Sequence, residues 1–322
     1  MQPVPPPTVF SVTGRWTPAT PACAATVGNF DGVHLGHAAI VSRLLETARR
    51  LSVPAVVLTF DPHPASIVRP ATAPRPLTTP QRRAELLGAL GVDAVLVQPT
   101  DARLVALEAE AFYADILRGR LRTVALVEGT DFHFGARRRG DMAMLAALCA
   151  ADGVQLETVG PVESRGSSVS SSRLRRLIGD GRVDEAAALL TAPYRLSGRV
   201  VEGMKRGRTL GFPTANLDGI ATLLPANGVY AARAKAAGAE RAWPAAVHIG
   251  PNASFGEAAI SVEAHLIGFS GNLYGETLDV DFLERLRDTR TFPTVDALKE
   301  QLAVDVKRAL AVAGPTAIPE ST

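Results

Sequence analysis

Thr26-Val27-Gly28-Asn29-Phe30-Asp31-Gly32-Val33-His34-Leu35-Gly36-His37 reads as the end of a buried strand, a turn carrying two glycines and the start of a helix. That succession is the local geometry of a phosphate site. The first amides of a helix lack intrahelical partners and lie at the positive end of its dipole, so an anion docks against them. Gly28, Asn29, Phe30, Asp31 and Gly32 are therefore the candidate cradle for ATP phosphates. His34 and His37, three apart, share one helix face and can donate to phosphate oxygens as charge builds during transfer. One preorganised donor of that kind is worth about 2.7–4 kcal/mol. A lone His-x-x-His is nevertheless more readily an ordinary surface pair beside turn glycines, so the rest of the chain has to decide.

Outward from this stretch, short apolar runs alternate with helical patterns. Ala24–Val27, Ala55–Phe60, Ala94–Val97, Val124–Glu128 and Gln155–Val159 read as buried strands. Val41, Leu44, Leu45 and Ala48 fall on one face of the first helix. Thr79 caps a second helix, with Pro80 at its first position and Gly91 behind it. Alternation of this kind predicts a parallel, doubly wound, Rossmann-like α/β domain that binds ligands beyond the carboxyl ends of its strands. Besides Gly28–His37, three polar segments fall at or near those ends: residues 59–64, with His63 bordering the site in a rigid Asp61-Pro62-His63-Pro64 turn; residues 129–135, with Asp131; and Ser170-Ser171-Ser172-Arg173-Leu174-Arg175. In the last, Ser170 and Ser171 can cap amides or bind phosphate oxygens, and Arg175 can make a forked contact.

After Pro193 the period changes to two, which places a domain boundary there, with domains over 22–191 and 192–313. Tyr194–Val201, Gly228–Ala234, Ala245–Ile249, Ile260–Ile267 and Thr277–Leu283 predict a small antiparallel barrel without crossover helices. Thr294 caps a closing helix whose stripe is Val295, Leu298, Leu302, Val306 and Leu310. Residues 1–21 and 314–322 read as tails. Within the barrel, the loop from Gly203 to Asn216 combines glycines and cations: Gly203, Lys205, Gly207, Arg208 and Gly211 are candidate phosphate contacts. The common P-loop is absent, since Met204 stands where its last glycine belongs and no Ser or Thr follows Lys205. Thr214 and Asn216 offer hard oxygens suited to Mg²⁺ carried by ATP. On the strand at 260–266, Ser261, Glu263 and His265 face away from the core, and Glu263 is the candidate general base.

Composition narrows the functional classes. At 322 residues the chain exceeds what one core usually serves. A net charge of +2 argues against a polyanion-coating role and no nucleic-acid partner is indicated. Cys23 and Cys149 lack motif spacing and read as buried hydrophobes, so neither disulfide nor cysteine metal site is implied. No apolar run is long enough to span a membrane, and the expected location is cytoplasmic.

Taken together, the segments resemble the bacterial bifunctional riboflavin kinase/FAD synthetase family from about Ala24 to Leu310. Residues 28–37 resemble its nucleotidyltransferase signature. Val169–Arg175 resembles its second signature, with Val169 and Ser172 replacing the commoner isoleucine and threonine. Gly211-Phe212-Pro213-Thr214-Ala215-Asn216 matches the kinase module's most characteristic run, and residues 273–276 and 282–287 continue the match. Ala253 and Ser254 depart from the usual Pro and Thr, and His248 from Asn or Ser, which implies altered packing of the flavin pocket. The resemblance implies two reactions. Glu263 would deprotonate the ribityl 5′-hydroxyl of riboflavin as it attacks the γ-phosphate of MgATP, with Thr214 and Asn216 on the metal. FMN would then attack the α-phosphate of a second ATP, held by His34, His37, Ser171 and Arg175, giving FAD and pyrophosphate. The alternatives are a single-activity flavin enzyme with one degenerate domain, a non-catalytic ATP or flavin sensor, and a cytidylyltransferase fused to an unrelated barrel. A homo-oligomer is compatible with all of them.

Overall fold

A computed structural model describes residues 4–203, 207, 210–251 and 260–314, in two compact units, Met1–Ser171 and Ser172–Thr322. In the first unit the strands are β1 (Thr8–Ser11), β2 (Cys23–Val27), β3 (Ala55–Asp61), β4 (Ala94–Pro99), β5 (Thr123–Gly129) and β6 (Gln155–Val159). They form one sheet in the order β1-β4-β3-β2-β5-β6. Strands β2 to β6 pair in parallel. The chain moves outward from β2 through β3 to β4, then returns to the other side of β2 for β5 and β6. This is the doubly wound order, and its reversal lies between β2 and β5.

Helix α1 (Leu35–Leu51) buries Val41, Leu44, Thr47 and Ala48 and ends at Ser52, which has φ 56°. After the short α2 (Pro64–Val68), α3 (Pro80–Ala89) starts where expected: Thr79 accepts from the Arg82 amide at 3.2 Å and Gly91 has φ 102°. The segment from β4 to β5 carries α4 (Ala102–Val105), α5 (Ala109–Ala111) and a wide π-helical continuation through Arg120 that buries Phe112, Tyr113, Ile116 and Leu117. Helix α6 (Met142–Ala151) then leads to β6. A small hairpin, β7 (Glu163–Ser164) and β8 (Ser167–Ser168), precedes α7 (Ser171–Gly179).

The N-terminal stretch is not the tail that its prolines imply. Strand β1 pairs antiparallel with β4 from Thr8↔Val97 to Ser11↔Ala94, and Trp16 is buried. Arg120 ties the chain ahead of β1 by donating to the carbonyls of Val4 and Pro5. An edge strand of four residues carries too few alternations to register as a pattern.

In the second unit, α7 and α8 (Val183–Ala187) precede a closed antiparallel barrel. Its strands are β9 (Arg195–Val201), β10 (Ala215–Asp218), β11 (Gly228–Ala236), β12 (Trp243–Pro251), β13 (Ile260–Leu266) and β14 (Thr277–Arg287), in the order β10-β13-β12-β11-β14-β9. Five strands were legible in the pattern and β10, read as loop, completes the barrel. Leu196, Tyr230, Val247, Ile249, Ala264, Val280 and Phe282 fill the inside. Helix α9 (Val295–Ala313) is capped by Thr294 as expected, but its buried face is Asp305, Ala309 and Ala313, whereas Val295 and Leu310 are exposed. Alanines let the helix approach the outer face of the barrel against Val229, Ala231 and Leu286, and the buried Asp305 takes a fork from Arg287 at 2.7–3.1 Å. Among the described residues no helix is long and apolar enough to cross a membrane.

Candidate functional sites

The first site forms where β2 and β5 part. Their register stops at Ala25↔Leu126, and beyond it the Val27 amide donates 2.8 Å to Oε1 of Glu128, a side chain on β5. At the reversal point of the sheet, burial pushes the Glu128 carboxyl well above its ordinary range, against the opposing pull of the Val27 amide and the Thr26 hydroxyl. The turn that follows holds Phe30 at φ 46°, Gly32 at φ 89° and Val33 at φ 41°. Two bulky residues in the left-handed region persist only where their surroundings over-determine them.

Those surroundings are polar and buried. Asp31 is 2% exposed, and its carboxylate accepts from the amides of Leu77 and Thr78 and from the Thr78 hydroxyl at 2.9–3.0 Å. Those bonds fix the shape of the turn. The Gly32 amide donates to Thr78 Oγ1 at 3.2 Å, and Thr59 Oγ1 donates to the Asn29 carbonyl at 2.9 Å. Buried Arg83 donates to Thr59 Oγ1 and the Phe60 carbonyl at 2.9 and 3.0 Å and lies 3.8 Å from Asp31. Ser171 donates to the Asp31 carbonyl at 2.8 Å. Asn29 Oδ1 is buried with no hydrogen-bond partner, an acceptor that a donor on a ligand would satisfy.

His34 is the N-cap of α1 rather than a helical residue, and its partner is His37. Each ring accepts the other's backbone amide at Nδ1, both at 3.3 Å, and the rings stack with centroids 3.7 Å apart at 15°. This mutual capping leaves the Leu35 and Gly36 amides as the first of the helix. Gly36 is required here, because a Cβ on it would come within 3.1 Å of the His34 ring. Burial lowers the pKa of His34 to about 4, opposed by Asp31. It holds His37 well below its ordinary value, with His34 and Arg83 adding to the effect. Both rings are therefore neutral near pH 7, and an Nδ1 that accepts puts the ring proton on Nε2. His34 is buried and His37 half-buried, and each ring carries its N–H at Nε2. Phe30 packs 4.9 Å from His37.

Of the other expected residues, Gly28 donates its amide to the Leu58 carbonyl at 3.0 Å, Asp131 is exposed just after β5, and Ser170 is half-buried ahead of α7. Arg175 is half-buried on α7 and groups with the second unit. His63 accepts the Ala65 amide at Nδ1, at 3.0 Å, as the N-cap of α2, behind a cis Asp61–Pro62 bond. Thr78 and Arg83 were not singled out in the sequence.

The second site lies on the outer face of the barrel. Asn216 on β10 stands directly across from Glu263 on β13, which stands directly across from His248 on β12. Thr214 Oγ1 donates to Glu263 Oε2 and Ser261 Oγ to Oε1, both at 3.2 Å, so the carboxylate is held from two sides. His265 Nδ1 lies 2.8 Å from the Pro213 carbonyl and its ring meets Phe212 edge-on at 5.7 Å, which pins the run that presents Thr214. A Cβ on Gly203 would run into the Asn216 carboxamide, so the backbone at Gly203 lies directly against that side chain. Gly207 accepts from the Phe212 amide at 2.8 Å, and Gly211 turns the chain at φ 88°. Lys205 and Arg208, with Ala253 and Ser254, lie outside the described residues. No group of three or more His, Cys, Asp or Glu side chains able to hold a metal ion occurs among the described residues. The oxygens of Thr214 and Asn216 fit a cation that brings most of its own ligands as phosphate and water.

A nucleotide crevice at the reversal of a doubly wound sheet, with a barrel that sets a carboxylate among hard oxygen donors, defines a two-domain nucleotide-dependent transferase. The chain belongs to the bifunctional riboflavin kinase/FMN adenylyltransferase family: residues 17–173 match the FAD synthetase family and residues 190–313 the riboflavin kinase family. It is 40% identical to the bifunctional riboflavin kinase/FMN adenylyltransferase of Pseudomonas fluorescens, over 92% of this chain and 94% of that one. Identity to the Escherichia coli K12 protein of the same description is 36%, over 88% and 90%. A crystal structure from Streptococcus pneumoniae, titled a macrolide-efflux protein, superposes with a TM-score of 0.79 at 32% identity, over 90% of this chain and 95% of that one.

Proposed function

We propose that this protein phosphorylates riboflavin with ATP to give FMN, and then adenylates FMN with a second ATP to give FAD and pyrophosphate. The observation that carries the first reaction is the Glu263 carboxylate, held by Thr214 and Ser261 and in register with Asn216 on a closed barrel. Glu263 takes the proton of the 5′-hydroxyl as that oxygen attacks the γ-phosphorus, and ADP leaves. Thr214 and Asn216 would hold Mg²⁺, which neutralises charge on the phosphates of bound ATP. Gly203, Lys205, Gly207, Arg208 and Gly211 are the proposed phosphate contacts.

In the adenylyl transfer no enzyme nucleophile is required. The FMN phosphate already carries negative charge and attacks the α-phosphorus directly, displacing pyrophosphate. Neutral His34 and His37 donate from Nε2 to the triphosphate, Gly28 to Gly32 shape its cradle, and Asp131, Ser170 and Ser171 complete the site. Domain limits of 22–191 and 192–313 and a cytoplasmic location belong to the same reading. Incubating the purified protein with riboflavin and MgATP and separating flavins by chromatography tests it: FMN should form first and FAD follow with pyrophosphate. Unchanged riboflavin would sink the reading, and FMN without FAD would reduce it to a kinase.

A further inference from the structure

The outer face of the barrel carries a row of side chains with a direction. Across β10, β13 and β12 the opposed positions are Asn216, Glu263 and His248, and the register continues to Val229 on β11 and Arg287 on β14. Directly opposed antiparallel residues share a face with Cβ atoms about 4.5–5.5 Å apart, so each step of the row is one short side-chain contact. On the Asn216 side of Glu263 lie Thr214 and the Gly203 loop, the phosphate end. On the other side, Val229 is covered by α9 through Ala309, which makes His248 the last open position before the helix. Beyond it Arg287 is forked to Asp305 of α9 and lies 5.7 Å from the Phe292 ring, one wall of a cleft that Pro293, Ala297 and Val304 also line.

A substrate whose terminal hydroxyl meets Glu263 with its new phosphate toward Asn216 must leave on the His248 side. Resting on the kinase function proposed above, we infer that His248 binds the secondary hydroxyls of the riboflavin chain and so selects a polyol-bearing flavin. The chemistry matches. A sugar-alcohol hydroxyl both donates and accepts, and a neutral imidazole offers one nitrogen of each kind. His248 is half-buried, and burial lowers its pKa, opposed by Glu263 and reinforced by Arg287, so the neutral ring is the form present.

The test compares two flavins, riboflavin and a flavin carrying a 5-hydroxypentyl chain at the same ring nitrogen. The second keeps the reacting hydroxyl and lacks the secondary ones. With riboflavin, His248→Leu should raise KM about tenfold, the loss of roughly one hydrogen bond, while KM for ATP stays unchanged. With the hydroxypentyl flavin the same substitution should change KM less than about twofold, and His248→Asn should recover part of the loss on riboflavin. Equal penalties on both flavins, or none on riboflavin, overturn the inference while leaving the kinase function standing. Failure of the wild-type protein to phosphorylate riboflavin overturns both. Phosphorylation of the hydroxypentyl flavin by the same preparations reports that the barrel is folded, and if His248→Leu is insoluble the same comparison on His248→Asn decides.

Discussion

His34 and His37 carry two kinds of information: which nitrogen bears the proton, and at what pH a second one binds. Because each Nδ1 accepts an amide, an NMR correlation of ring nitrogens should find both histidines as the Nε2–H tautomer at pH 7, and a cationic ring or the other tautomer would remove them as fixed donors. Folded-state pKa values below the unfolded 6.5 mean that their contribution to stability is present above pH 6.5. It is lost as pH falls, for His34 through about 4. His37→Ala should lower FAD formation by about 10²–10³ while FMN formation persists; loss of both in soluble protein would show that the histidines do not serve one reaction alone. Glu263→Gln should do the reverse, lowering kcat for riboflavin by about 10²–10⁴ with binding little changed, while FMN supplied directly still becomes FAD. Near-normal riboflavin phosphorylation would remove Glu263 from the mechanism. The histidine motif and Glu263 were legible because spacing and strand alternation are local. Mutual capping by imidazoles was not, since the usual N-cap signal is a short oxygen side chain. Nor were Thr78 and Arg83, whose partner Asp31 lies far off in the sequence, where only the fold brings them together.

At the scale of elements, Glu128 does what a strand normally does for its neighbour. Its carboxyl stands in for the ladder where β2 and β5 separate, so the crevice opens without leaving the Val27 amide bare. The folded-state pKa is raised, so the stabilisation is fully present below the unfolded value near 4.5 and is lost as pH rises through the folded one. Glu128→Gln keeps a carbonyl oxygen for Val27 and removes the titration. Compared with wild type by denaturant melts between pH 5 and 8, it should gain relative stability with rising pH, by up to about 1.4 kcal/mol per pH unit for one proton. A difference that stays constant across that range would mean that Glu128 is not held neutral. The elements that escaped the sequence are those whose pattern is short or misleading. Strand β10 has four residues directly after a Gly-Phe-Pro-Thr turn, and the apolar stripe assigned to α9 included Val295 and Leu310, whereas the contact is made by alanines around the Arg287–Asp305 pair.

For the whole molecule, the change of period at Pro193 located the start of the barrel but said nothing of what packs on it. Compactness divides the chain after Ser171, and the family matches leave residues 174–189 between them. Helices α7 and α8 bury Leu174, Ile178, Val183 and Ala186 completely. The Ala226 amide donates to the Ile178 carbonyl at 3.3 Å, and a Cβ on Gly181 would come within 2.8 Å of the Tyr230 hydroxyl, so this segment is fitted to the barrel unit. Full burial of a Leu or Ile side chain is worth about 1.5–3 kcal/mol, against a total stability of about 5–15 kcal/mol for a domain. A fragment over 172–314 should therefore fold, phosphorylate riboflavin at close to the full-length rate and make no FAD. A fragment starting at Ala192 keeps the closed barrel and the base, and should fold too, but melt at least several degrees lower because the surface that received the two helices is bare. Thermal melts and riboflavin phosphorylation on the two fragments separate the possibilities. Equal melting temperatures would mean that α7 and α8 contribute nothing to the barrel unit, and an unfolded 172–314 fragment would mean that the barrel depends on the first unit for its core.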